Sequence, residues 1–179
     1  MLSPLTGGSS CPEARSSREA ARHEEASLKA KLRDELPVVF LADPPVSPQE
    51  LDELLAAAWA WHKPRDWGPV LKHSLVYLCA YSESRLVGFV NVAWDGGIHG
   101  FILDTTVHPT FRGRGIGRRL VLLAAYEARD RKLEWLHVDF EPHLRSFYEG
   151  CGFRTTEAGL MHLGQSERTA SGSAGIQHP

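Results

Sequence analysis

Apolar and polar residues recur along positions 37 to 163 with changing period, and each period predicts an element. Val38, Val39, Phe40, Leu41 and Ala42 form a short continuous apolar run, which predicts a buried strand. After a break at Asp43-Pro44-Pro45, Leu51, Leu54, Leu55 and Ala58 recur at helical spacing. Ser47-Pro48-Gln49-Glu50 precedes them as a capping box with proline at the first helical position. This helix is expected to end by Trp61 or His62, before Pro64, and residues 64–73 read as a loop. Leu75 to Ala80 and Leu86 to Trp94 read as a hairpin around a polar turn at Ser82 to Arg85. Asp95-Gly96-Gly97 turns the chain into a strand from Ile98 to Val107. From Gly115 to about Arg131 the period becomes helical, with Ile116, Leu120, Leu123 and Ala124 on one face. A fifth strand over Glu134 to Phe140 follows, then a short helix over Leu144 to Gly150 with Gly152 as its cap. One or two last strands are expected over Phe153 to Leu163. The pattern is α/β, a mixed sheet with helices and no internal repeat.

The two ends carry no such pattern. Residues 1–36 open on Gly, Ser and Pro and continue with Arg, Lys, Glu and Ala; they read as a disordered or marginally helical charged extension. Residues 164–179, rich in Ser and Gly, read as a disordered tail. One folded domain is therefore expected over 37–163, and 179 residues suffice for a single real core.

Composition excludes several function classes. Charged residues are 23% of the chain and the formal net charge is −2, so no global field draws it to nucleic acid or anionic membrane. No run approaches the roughly 18 apolar residues of a membrane span, and no basic start precedes an apolar core at the N-terminus. Cys11, Cys79 and Cys151 are odd in number and form no C-x-x-C pair, which points to a reducing cytoplasm and to no zinc site.

The chemistry concentrates in Leu103 to Leu120, where a strand runs through His108-Pro109 into a glycine-rich turn and then a helix. The first turn of a helix leaves N–H groups unpaired and carries roughly half a positive charge. Glycine lets the backbone approach an anion, and Arg112, Arg114 and Arg118 add fixed positive charge. The stretch suits a diphosphate or similar polyanion. It holds neither G-x-x-x-x-G-K-[ST] nor a dinucleotide fingerprint ending in an acidic strand. What stands here is Arg112-x-x-Gly115-x-Gly117, and downstream Phe147-Tyr148-Glu149-Gly150-Cys151-Gly152-Phe153. These resemble the pyrophosphate-binding motif and the F-Y-x-x-x-G-F segment of the GNAT superfamily of N-acetyltransferases. The order of elements agrees over about Val38 to Leu163.

The resemblance implies a GNAT-like fold: a mostly antiparallel sheet of six to seven strands, its fourth and fifth strands splayed, often with a bulge, flanked by about four helices. It implies acyl transfer from acetyl-CoA to a primary amine by direct attack in a ternary complex, without a metal. By position, Thr105, Thr106 and Val107 would pair with the pantetheine arm. Arg112, Gly113, Arg114, Gly115, Ile116, Gly117 and Arg118 would cradle the diphosphate. Glu141-Pro142 stands where many members carry an asparagine toward the pantetheine. Tyr148 would protonate the departing sulfur, with Phe147 turned about 100° away into the core. A lysine-like amine, with a reference pKa near 10.4, calls for a base. The candidates are Asp104, His137, Asp139 and Glu141, with His137 and Asp104 foremost. Trp59, Trp61 and Trp67 either line the acceptor cleft or pack. Dimers are frequent in the family, so a homodimer is one expected assembly. Two other readings stay open at this point. One is an acyl-CoA-binding regulatory module without turnover; the other is nucleic-acid binding through Arg112 to Arg119.

Overall fold

The computed structural model describes residues 37–161, together with His23 and Leu163. The chain divides into two units, Met1–Pro37 and Val38–Pro179. The extension expected over 1–36 lies outside the described residues except for His23, and the tail expected over 164–179 lies outside them altogether.

The second unit is built on one five-stranded sheet. Its strands are β1 (Val38–Ala42), β2 (Ser74–Ser82), β3 (Arg85–Trp94), β4 (His99–Val107) and β5 (Trp135–Val138), in spatial order β1-β2-β3-β4-β5. The first three pairings are antiparallel and β4 with β5 is parallel. Among the described residues, four α-helices accompany the sheet: α1 (Pro48–Ala58), α2 (Gly68–His73), α3 (Ile116–Asp130) and α4 (Arg145–Gly150). Single 3₁₀ turns at Pro109–Phe111 and Pro142–Leu144 precede α3 and α4.

Successive strand residues point to opposite faces, and the core divides accordingly. Leu78, Ala80, Val90 and Val92 join Ile116, Leu120, Val121 and Ala124 of α3. Cys79 and Phe89 join Leu51, Leu54 and Leu55 of α1, with Trp67. Gly88 is what lets α3 sit so close. A Cβ there would come within 2.9 Å of Leu120 Cδ1 and 3.2 Å of Ile116 Cγ2. The start of α3, and the turn leading to it, are thereby held against the sheet. The capping box is formed: Glu50 N–H donates to Ser47 Oγ at 3.2 Å, and Ser47 N–H donates to Glu50 Oε2 at 2.9 Å.

Three expectations are corrected. The sheet has five strands among the described residues, not six or seven. Residues 153–161 form no strand, because neither alternating set, Phe153-Thr155-Glu157-Gly159 or Arg154-Thr156-Ala158-Leu160, makes an apolar face. The helix α1 stops at Ala58, earlier than Trp61 or His62. Trp59 is extended and stacks on Trp61 with centroids 5.0 Å apart, and the chain doubles back to bring His62 to Asp52. Residues 64–73 are not all loop, since Gly68–His73 is helical. Pro69 fits the first turn, where its missing N–H costs nothing, and the wholly buried Trp67 anchors the entry.

Candidate active site

The site grows from an irregularity in β4. Phe89 pairs with Thr106 and Asn91 with Leu103, so Val90 alone faces both Asp104 and Thr105. This is a β-bulge, and Asp104 takes the left-handed conformation it requires, with φ +54°. A non-glycine residue there is uncommon, and aspartate and asparagine tolerate it better than most. The bulge re-aims the strand where it also loses its other neighbour. Pairing with β5 ends at Ile102 and Val138, and β4 runs on to Val107 paired only with β3. The expected splaying is thus present, with an opening between residues 103–107 and 139–140.

Three polar side chains surround this opening. Asp104 is 12% exposed at its side chain. Burial raises its pKa; Arg65, the Asn91 amide and His62 pull it down, and the net direction is upward. Arg65 Nη2 lies 3.5 Å from Asp104 Oδ1. Thr105 Oγ1 is buried and has no hydrogen-bond partner among the described residues. Tyr148 is 5% exposed, stacked on Phe140 at 4.9 Å and met edge-on by Phe147 and Phe153. Burial raises its pKa above 10.0, the Thr105 hydroxyl pulls it down, and nearby Cys151 adds to the rise. The phenol is therefore fully protonated at neutral pH. Tyr148 is more deeply buried than Phe147, which half-covers Gly117 from α4.

Next to the opening lies the glycine-rich turn. Gly113 and Gly115 have φ of +79° and +75°, and a Cβ at either would meet nothing within 4 Å. The outer side of the turn is open, and Gly115 caps α3, whose first N–H groups have no intrahelical acceptor. Such a turn suits a polyanion. Arg118 stands on the first turn, with Nη2 3.4 Å from Gly150 O. Arg114 lies over Phe111, 5.3 Å from its ring centre. Arg112 is partly committed elsewhere. Its Nε donates to Val107 O at 3.2 Å and its Nη2 reaches Ala58 O at 3.5 Å, joining the end of α1 to the end of β4.

Not every candidate converges here. His137 is exposed on β5, with Nε2 2.8 Å from His99 Nδ1 and its ring stacked on Phe101. It pairs in register with Phe101, three residues before Asp104, or about 10 Å along the strand. Asp139 is exposed and Glu141 half-buried beyond the end of β5. Of the tryptophans, Trp67 is core, Trp59 is half-buried and Trp61 exposed. Arg65, Asn91 and His62 were missed in the sequence. Asn91 was legible as a polar residue inside the apolar run Leu86 to Val92; Arg65 and His62 lie in a connection without period.

A bulged strand thus diverges from its parallel neighbour, and a glycine-rich turn caps the helix that follows it. The chain belongs to the acetyltransferase (GNAT) family, whose profile matches residues 34–153. It is 29% identical over 109 residues to an uncharacterized N-acetyltransferase, ycf52, of Porphyra purpurea, covering 58% of this chain and 63% of that protein. The match thus spans less than two thirds of that relative's length. A GNAT-family acetyltransferase from Streptococcus pneumoniae superposes with a TM-score of 0.61 at 21% identity, over 73% of this chain and all of that one. An aminoglycoside N-acetyltransferase, AAC(6')-Iy, solved in complex with CoA, superposes with a TM-score of 0.60 at 16% identity, over 73% of this chain and 97% of that one. At such identities these structures share the fold. No helix among the described residues is long and apolar enough to cross a membrane.

Proposed function

We propose that the protein is an N-acetyltransferase that moves an acetyl group from acetyl-CoA to a primary amine within a ternary complex. One observation carries the reading: the glycine-rich turn opens beside a gap in the sheet flanked by a largely buried carboxylate, a buried phenol and a buried hydroxyl. The reaction class named for the relatives supports it. When bound, acetyl-CoA supplies the thioester acyl group.

The N–H groups at Gly113 to Gly117 would hold the diphosphate, with Arg114 and Arg118 adding charge and Arg112 bracing the turn. The free edge of β4 over Thr105, Thr106 and Val107 would pair with the pantetheine arm. Asp104 takes the proton of the amine. An ordinary carboxyl is a weak base for this task, and burial improves it by raising its pKa. Tyr148 donates a proton to the departing sulfur and regains one from solvent. A second candidate base, His137 on β5, remains a mutational comparison for Asp104.

The cradle is tested by Gly115→Val. A valine at φ +75° is strained and points a branched side chain into the open side of the turn. CoA affinity measured by calorimetry is expected to fall on the order of tenfold, about 1.4 kcal/mol. A folded variant that binds CoA as the parent does would contradict the assignment.

A further inference from the structure

Beyond the cleft itself, one cluster of side chains leads back to it. Asp52 lies on α1 with its side chain 22% exposed. Its Oδ1 accepts from Trp67 Nε1 at 3.0 Å and lies 2.9 Å from His62 Nε2, which must carry the proton because the carboxylate only accepts. Burial alone would raise the Asp52 pKa. The hydrogen bonds from Trp67, His62 and the Arg65 backbone outweigh it, so Asp52 stays ionised. One carboxylate thus gathers three residues of the connection between α1 and α2. Trp67 is wholly buried and edge-on to Phe89, so its ring is fixed. The Arg65 guanidinium lies 3.9 Å from the centre of that ring, in a cation–π stack that sets the plane and reach of the side chain.

We infer that the path from Asp52 through Trp67 to Arg65 is a positioning device for Asp104, holding one guanidinium beside the carboxylate that takes the amine proton. The inference rests on the reading of Asp104 as the base. Distance is what makes the device suitable. A close bidentate arginine would hold the carboxylate too firmly ionised to be a useful base. With no cation, a carboxyl this buried would keep its proton to higher pH. A single contact at 3.5 Å from a half-exposed guanidinium lies between these limits. The groups facing Asp104 are Arg65 and His62 from the connection and the neutral Asn91 from β3; Arg65 has the largest opposing effect.

The test is the pH dependence of kcat/KM on any accepted amine. Arg65→Met keeps a chain that can cover Trp67 but removes the charge. Without Arg65 the carboxyl holds its proton longer, so the acid limb should move up by about one pH unit. Arg65→Lys should return the limb most of the way. Asp52→Ala, which frees Trp67 and His62, should move it in the same direction by less. His62→Gln should move it less than Arg65→Met, with the limb still present. An unmoved limb in Arg65→Met, while Asp104→Asn is inactive, overturns the positioning role and leaves the base in place. If Asp104→Asn turns over at the parent rate, the base assignment fails and this inference fails with it.

Discussion

Asp104→Asn is expected to lower kcat by about a hundred- to ten-thousand-fold, the loss that follows removal of a general base. The substitution is nearly isosteric, and asparagine is at ease in the left-handed conformation that the bulge imposes at φ +54°. The geometry of β4 is therefore kept, and CoA affinity should not change. Only the ability to hold a proton is lost. Stability should move the other way. The folded pKa of Asp104 lies above its ordinary 3.8 because burial outweighs Arg65, Asn91 and His62. A group raised in this way contributes stability below pH 3.8, and that contribution is lost as pH rises through the folded value. At neutral pH the ionised form is a cost, which asparagine removes. The variant should melt at a higher temperature than the parent while being far slower. A slow variant that melts lower would point to structural damage instead. His137→Ala, its parent ring lying exposed against His99 and Phe101, should lose much less under the same assay.

Tyr148→Phe is expected to lower kcat by roughly ten- to a thousand-fold, within or just below the general-acid range. The ring packs on Phe140, Phe147 and Phe153, and phenylalanine keeps all three contacts. The hydroxyl is the only thing removed. It sits on the side of Thr105, whose own hydroxyl is buried and lacks a partner among the described residues. CoA binding and melting temperature should stay near the parent's. Parent-like turnover, on an amine for which chemistry limits the rate, would leave Tyr148 as a packing residue.

Much of this site could be read from residue order alone, for a physical reason. The glycine-rich turn and the start of α3 are local, and their function depends on backbone N–H groups and positive φ that glycine spacing announces. The capping box of α1 was equally visible. The bulge was implied only by the resemblance, because Asp104 and Thr105 carry no turn signal and the extra residue appears only when β4 is laid against β3. Arg65 and His62 reach the cleft through Asp52 and Trp67, contacts between α1 and an irregular connection, and such contacts leave no period. Arg112 shows the opposite case. Its place in the motif was plain, but its guanidinium reaches back to Val107 and Ala58, which a motif cannot express. No strand forms over residues 153–161, where neither alternating set of side chains is apolar along its length.

The central claim, acyl transfer from acetyl-CoA to an amine, is tested most directly by measuring both products at once. The full chain is incubated with acetyl-CoA and a broad panel of primary amines. Free CoA thiol is followed continuously, and the amines are weighed by mass spectrometry. The expected result is thiol release that depends on one class of amine, matched mole for mole by the acetylated amine and slowed by at least about a hundredfold in Asp104→Asn. Tight CoA binding by calorimetry, with no acetylated amine and no thiol release across the panel, would contradict the account and make the protein an acyl-CoA-binding module.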